Sequence, residues 1–306
     1  MHQEYQYLNI LKKIMDEGKR HENRTGVATK RLLCEVMRFD LSEEFPLLTT
    51  KKVYWKGVMH ELLWFLSGST DISYLKENKV NIWTPNAESH YRKMIDRYNG
   101  CGEIYGELGQ KEFLEDHPFF ATENPDEIGP VYGFQWRHFN GGTDLNHNPG
   151  FDQIAWAENE IRNNPESRRT IISAWNPLQI PEMALPPCHV LFQLTVDGDQ
   201  LHCTLYQRSC DELLGIPWNI SSYALLTCMF ASASRLKPGT FNHVMNDAHI
   251  YENHFEQVKE QLSREPYPFP QLKLNPDVKS VLDFTADDIE LVNYKYHPAI
   301  KAEMAV

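Results

Sequence analysis

Leu185-Pro186-Pro187-Cys188-His189-Val190-Leu191-Phe192-Gln193-Leu194-Thr195-Val196 passes from two prolines through a cysteine into apolar chain, and the fold turns on how that run pairs. Proline fixes its own φ and restricts the residue before it, so Cys188 stands on stiff backbone at the mouth of a strand. Asp197-Gly198-Asp199 is a tight-turn signal, and Leu201-His202-Cys203-Thr204-Leu205-Tyr206-Gln207 returns as the partner strand. A two- or three-residue loop closing this hairpin sets Cys188 opposite 207–208 and brings Arg208 and Ser209 beside the thiol. A guanidinium next to a thiol favours the thiolate, which is the nucleophilic form. Taken alone, a cysteine at a strand start is more often an ordinary buried side chain.

Outward from the hairpin, 170–175 reads as a strand preceded by the paired Arg168 and Arg169, a pattern that either sits on a solvated edge or holds a phosphate. On the other side, 219–236 reads as a long helix with Asn219 as its cap, stopped by Pro238-Gly239. A strand near 240–245 leads to Asp247-Ala248-His249-Ile250-Tyr251, then to a helix at 253–263 and short strands at 272–274 and 289–293. Towards the N-terminus, 4–17 has helical apolar spacing, Asn23-Arg24-Thr25-Gly26 is turn-like, and 31–40 reads as a strand. The segment 55–66 is apolar nearly all round and is expected to be a buried helix, with a short helix following at 72–78. Glu61 lies inside the buried helix, so its carboxyl must be paired, face a cavity, or have its pKa raised by desolvation. Residues 87–128 are the least patterned and read as a loop-rich insertion with partial helix at 88–97 and 107–115. Gly129-Pro130-Val131-Tyr132-Gly133-Phe134-Gln135-Trp136-Arg137 sets aromatics between glycines, as backbone packed closely against a cavity would. The expectation is a single α/β (α+β) domain over 1–306.

The 306 residues, 42% of them apolar and 24% charged, suffice for a large domain with a substantial core. With 30 basic and 42 acidic residues the net charge is −12, which argues against nucleic acid as the main partner but leaves room for a local phosphate pocket. The six cysteines, Cys34, Cys101, Cys188, Cys203, Cys210 and Cys228, contain no C-x-x-C pair, so no metal site is signalled. The polar start and the lack of any membrane-length apolar run lead to the expectation of a cytoplasmic protein with reduced thiols. No phosphatase-type Cys-x5-Arg loop surrounds Cys188. Several arginines suit a dianionic phosphate, and an asparagine suits the amide edge of a pyrimidine. Residue chemistry alone therefore reaches a cysteine enzyme acting on a phosphorylated small molecule.

Longer motifs go further. Pro187-Cys188-His189, Gln207-Arg208-Ser209-Cys210-Asp211, Leu214-Gly215-Ile216-Pro217-Trp218-Asn219-Ile220, Glu61-Leu62-Leu63-Trp64-Phe65-Leu66, Gly129-Pro130-Val131-Tyr132-Gly133 and Ala248-His249-Ile250-Tyr251 resemble the thymidylate synthase family, as does the C-terminal tail. The resemblance covers nearly the whole chain outside 87–128. It implies a large mixed twisted sheet with flanking helices, packed back to back in a homodimer, and reductive methylation of dUMP by 5,10-methylenetetrahydrofolate. By motif position it implies Cys188 as nucleophile toward C6 of uracil, with Glu61, Tyr132, His189 and Asp247 in the catalytic set. Arg24, Arg208 and Ser209 would bind the phosphate, with Arg168 and Arg169 reaching it from the partner subunit. Gln207 would contact dUMP, Asn219 would read the uracil edge, and His249 with Tyr251 would hold the deoxyribose hydroxyl. Ile82, Trp83, Asn86, Asp211, Leu214, Gly215, Trp218, Met304 and Val306 would line the folate side. Four positions depart from the family pattern: Trp218 for a phenylalanine, Asn246 and Ala28 for glycines, and Thr84 for an aspartate. A related chemistry, hydroxymethylation, adds water to the same intermediate; Asn219 argues against a cytosine substrate, while Trp83 and the apolar tail favour the water-excluding hydride route. A purely regulatory, RNA-binding role would fit a chain that had lost Cys188 or a phosphate arginine, and this one retains them.

Overall fold

Apolar residues at helical spacing and strands with alternating burial organise the chain, as seen in a computed structural model that describes residues 2–23, 25–116 and 124–303. In order, the elements are α1 (Tyr5–Glu17), β1 (Lys19–His21), β2 (Thr29–Asp40), α2 (Trp55–Ser67), α3 (Ser73–Glu77), α4 (Thr84–Asp116), α5 (Tyr132–His138) and α6 (Gln153–Asn163). Then come β3 (Ile171–Ser173), β4 (His189–Asp197), β5 (Gln200–Gln207), β6 (Cys210–Asp211), α7 (Ile216–Ala233), β7 (Lys237–Tyr251), α8 (Phe255–Leu262), β8 (Gln271–Leu274) and β9 (Ile289–Val292). They form two compact units, one of Met1–Met59, Ala157–Ile171 and Cys188–Val306, the other of His60–Trp156 and Ile172–Pro187.

The first unit holds a large mixed sheet running β1-β2-β7-β5-β4, with β6 beside β7. β2 pairs antiparallel with β7 along most of its length, whereas β5 and β6 both run parallel to β7. Helices flank the sheet. α1 turns Tyr7, Leu8, Ile10, Leu11 and Ile14 inward, and α7 is buried along nearly all its length. A helix apolar on every side has to be a core helix, and α7 lies against β5 and β7 as one.

A buried carboxylate pins the approach to α2. Glu4 is fully buried and accepts from Thr49 N (2.9 Å) and Oγ1 (2.6 Å) and from Thr50 N (2.8 Å) and Oγ1 (2.6 Å). Four donors satisfy the lone pairs that burial would otherwise leave bare. Gln261 donates to Thr50 Oγ1, and Arg264 donates to the carbonyls of Thr50 and Pro298, so the same knot gathers α8 and the C-terminal segment.

Most elements lie where the sequence puts them, and four differ. The helix expected from Asn219 begins at Ile216, capped by Gly215, because Pro217 suits a first helical turn where a missing N–H costs nothing. The glycine-spaced aromatics at 129–137 include a helix, α5; the close approach is nonetheless real, since a Cβ on Gly133 would meet the Phe65 carbonyl oxygen at 2.4 Å. The region expected to be loop-rich is mostly α4, and of its four glycines only Gly106 leaves helical dihedrals (φ 66°, ψ −159°). β7 also runs well past the expected 240–245, because β2 on one side and β5 then β6 on the other supply partners that override the turn preference of Asn246-Asp247.

Candidate functional site

The hairpin closes as its turn residues require. Asp197 pairs with Gln200 across Gly198, whose φ of 59° suits glycine, and at the other end His189 pairs with Gln207. Arg208 N donates to the Cys188 carbonyl at 3.0 Å, so the guanidinium-bearing residue and the candidate nucleophile share one rung. Cys188 is half-buried, whereas Cys203, Cys210 and Cys228 are buried and their thiols are pushed up by burial, Cys203 and Cys228 to about 12. Those three are held as thiols at neutral pH.

Behind the rung lies a buried neutral network. His243 Nε2 donates to Gln207 Oε1 (2.8 Å), and Gln207 Nε2 donates to Asn219 Oδ1 (3.0 Å) and to the Ser209 carbonyl (3.0 Å). Asn219 also shares a side-chain hydrogen bond with His189. Burial lowers His189 to about 4 and His243 to about 3, so both rings are uncharged near neutrality. The start of α7 at Ile216 explains why Asn219 is available here: freed from capping, its amide is oriented by Gln207 instead.

β6 ends in a turn that Asp211 builds for itself. Its Oδ1 accepts from Leu213 N (3.0 Å) and Leu214 N (3.1 Å), leaving Oδ2 with no partner among the described residues. Lys51 is buried beside this turn and donates to the Leu213 carbonyl; burial lowers it to about 8 against the pull of Asp211. Sequence reading passed over Lys51, since nothing local marks a lysine on the way into α2 as buried. Glu212, next in the chain, is fully buried with neither carboxyl oxygen partnered among the described residues, and burial raises it well above the carboxylate range. Trp218 is half-buried, and its ring occupies the space a side chain at 57 would need: a Cβ on Gly57 would meet Trp218 Cη2 at 2.3 Å.

On β7, Asp247 bridges two partners. Its Oδ2 accepts from Arg31 Nη1 at 2.7 Å, and its Oδ1 lies 3.1 Å from His249 Nδ1. The His249 and Tyr251 rings meet edge to face at 5.3 Å. Arg168 and Arg169 are exposed, and neither guanidinium has an ion-pair partner among the described residues. Asn23 frames the β1–β2 loop by accepting from Thr25 N (2.9 Å) and donating to the Val27 carbonyl (2.9 Å). Arg24 within that loop lies outside the described residues, as do Met304 and Val306.

The second unit holds its own cluster. Glu61 is buried (6% exposed), and Trp83 Nε1 donates to its Oε1 at 2.8 Å. Of the alternatives open for this carboxyl, pairing is the one observed. The Tyr132 ring lies 5.0 Å from Phe65 and 5.9 Å from Trp83, so Glu61, Trp83 and Tyr132 form one aromatic-walled group. Ile82 precedes Trp83 and Asn86 lies in the first turn of α4. Among the described residues, no helix is long and apolar enough to cross a membrane.

Comparison with known proteins bears on the whole arrangement. The family model for thymidylate synthase matches residues 5–306. The thymidylate synthase of Mycoplasma pneumoniae is 48% identical over 305 residues, covering 98% of this chain and 99% of its own. The bifunctional dihydrofolate reductase-thymidylate synthase of Paramecium tetraurelia is 47% identical over 310 residues, and a second such enzyme, from Arabidopsis thaliana, 46% over 309. The match takes in all of this chain but only 62% and 51% of those two.

Proposed function

The chain belongs to the thymidylate synthase family, a methyltransferase family making dTMP from dUMP, and we propose that it works by covalent catalysis from Cys188 with 5,10-methylenetetrahydrofolate as co-substrate. The observation that carries the reading is the shared rung of Cys188 and Arg208, backed by the network that orients Asn219. The Cys188 thiolate adds to C6 of the uracil ring, and C5 becomes the carbon nucleophile. Arg208 and Ser209 hold the phosphate with Arg24. Asn219, its amide oriented by Gln207, reads the uracil edge. His249 and Tyr251 take the sugar hydroxyl.

The folate, when bound, supplies the one-carbon unit and the hydride. The Asp211 turn fits such a ligand, since one carboxylate oxygen is tied to backbone and the other is open to a ring N–H. Trp218, Leu214 and Gly215 flank that turn, and Ile82, Trp83, Asn86, Met304 and Val306 are assigned to the same ligand. Glu61, oriented by Trp83, moves protons through water, and Tyr132 assists proton removal from C5. A homodimer would bring Arg168 and Arg169 to the partner's phosphate site. Two large apolar side chains exposed on β2, Leu33 (61%) and Val36 (45%), support a sheet-to-sheet contact.

Incubation with dUMP and 5,10-methylenetetrahydrofolate, followed by mass measurement of the nucleotide, tests the reading. The expected products are dTMP and dihydrofolate. Hydroxymethyl-dUMP with tetrahydrofolate would overturn the hydride step, and turnover of dCMP instead would sink the role of Asn219.

A further inference from the structure

We propose that Arg31 is a positioning residue for the sugar end of the substrate, holding His249, through Asp247, as a hydrogen-bond acceptor for the 3′-hydroxyl. The register of β2 against β7 sets Arg31 directly opposite His249, with Asp247 two residues earlier on the same face of the strand. The Asp247 carboxylate is divided between the two, Oδ2 accepting from Arg31 at 2.7 Å and Oδ1 lying 3.1 Å from His249 Nδ1. The same Nδ1 also lies 3.1 Å from the Asp247 carbonyl oxygen. Both neighbours of Nδ1 are acceptors, so the proton of the neutral ring sits on Nδ1 and the lone pair on Nε2. Nε2 has no partner among the described residues, and the side chain keeps 10% of its surface exposed.

A deoxyribonucleoside 5′-monophosphate has one free sugar hydroxyl, at 3′, and that group can donate to Nε2. Arg31 contributes by clamping the far carboxylate oxygen, so that Asp247 cannot turn about its terminal bond and release Nδ1. The inference rests on the assignment of His249 to the sugar hydroxyl, and the test separates the two.

Wild-type protein, Arg31→Met and Arg31→Lys are compared on dUMP and on 2′,3′-dideoxy-UMP, which lacks the hydroxyl. Wild type is expected to prefer dUMP by about tenfold or more in kcat/KM, and Arg31→Met by about threefold or less. Arg31→Lys, which can still reach Asp247, is expected to restore most of the preference. Nitrogen NMR of His249 is expected to report the Nδ1-protonated tautomer in wild type and a mixture in Arg31→Met. An unchanged preference and tautomer in a folded Arg31→Met protein would overturn the role of Arg31 while leaving the sugar contact standing. No preference in wild type would remove the sugar contact itself, and the inference with it. Arg31 is a third exposed (32%), and thermal melting checks that both variants fold.

Discussion

Gly57 and Trp218 form a matched pair: the larger ring at 218 fits because nothing projects from 57. The tryptophan is a departure from the family pattern, and the glycine is what accommodates it locally. Gly57→Ala is expected to push the Trp218 ring toward the folate side, raising the KM for the folate about tenfold with a smaller effect on that for dUMP, the scale of a modest overpacking penalty. Steady-state kinetics with each substrate varied in turn checks this. Glu212 makes a different prediction. Its folded-state pKa lies well above the ordinary carboxyl value, so its contribution to stability is full below about pH 4 and is lost as pH rises through the folded-state value. Glu212→Leu removes both the titration and the unpartnered oxygens. Denaturant melts should find the variant more stable than wild type at pH 9, with a smaller gap at pH 5.

At the level of elements, the hairpin and α7 share the His243–Gln207–Asn219 network, and its two buried histidines give it an acid limit. Both are lowered by burial relative to the unfolded chain, so the stability they confer is present above about pH 6.5 and is lost as pH falls through about 4 and about 3. His243→Gln is expected to flatten the fall in unfolding free energy over this range by about 1.4 kcal/mol per pH unit, one proton's worth. Urea unfolding at stepped pH measures it, and an unchanged slope would show that His243 does not titrate with folding. The hairpin itself was legible because its signals are local: prolines before it, a glycine turn within it, alternation along both arms. Cys188, Arg208 and Asn219 stand out as candidates for the same reason. Arg31, Lys51 and Glu4 do not, because each acquires its partner from chain far away in sequence. No window around Arg31 contains Asp247, and no periodicity marks Lys51 as buried. Asn219 reads from sequence as a cap, but Pro217 starts the helix about a turn earlier, at Ile216.

For the whole molecule, the proposed exchange of Arg168 and Arg169 between subunits has a consequence that simple loss of activity does not capture. Cys188→Ser and Arg168→Ala, each weak or inactive alone, should regain activity when unfolded and refolded together. One site of the mixed dimer then carries an intact Cys188 from one subunit and an intact Arg168 from the other. Recovery toward a quarter of wild-type activity is expected for random pairing, about half of the dimers being mixed with one good site in two. No recovery, with dimers present by sedimentation, would mean that each subunit supplies its own phosphate arginines.

The knot around Glu4 also bears on how the chain is made. Residues 4, 49–50, 261–264 and 298 meet at one point, so α1 can be fastened only after residues up to 298 have left the ribosome. Until then the inner face of that helix has no complete bed. Nascent chains stalled short of residue 261 should therefore be cut by protease within residues 4–17, and released chains that extend past residue 298 should resist there.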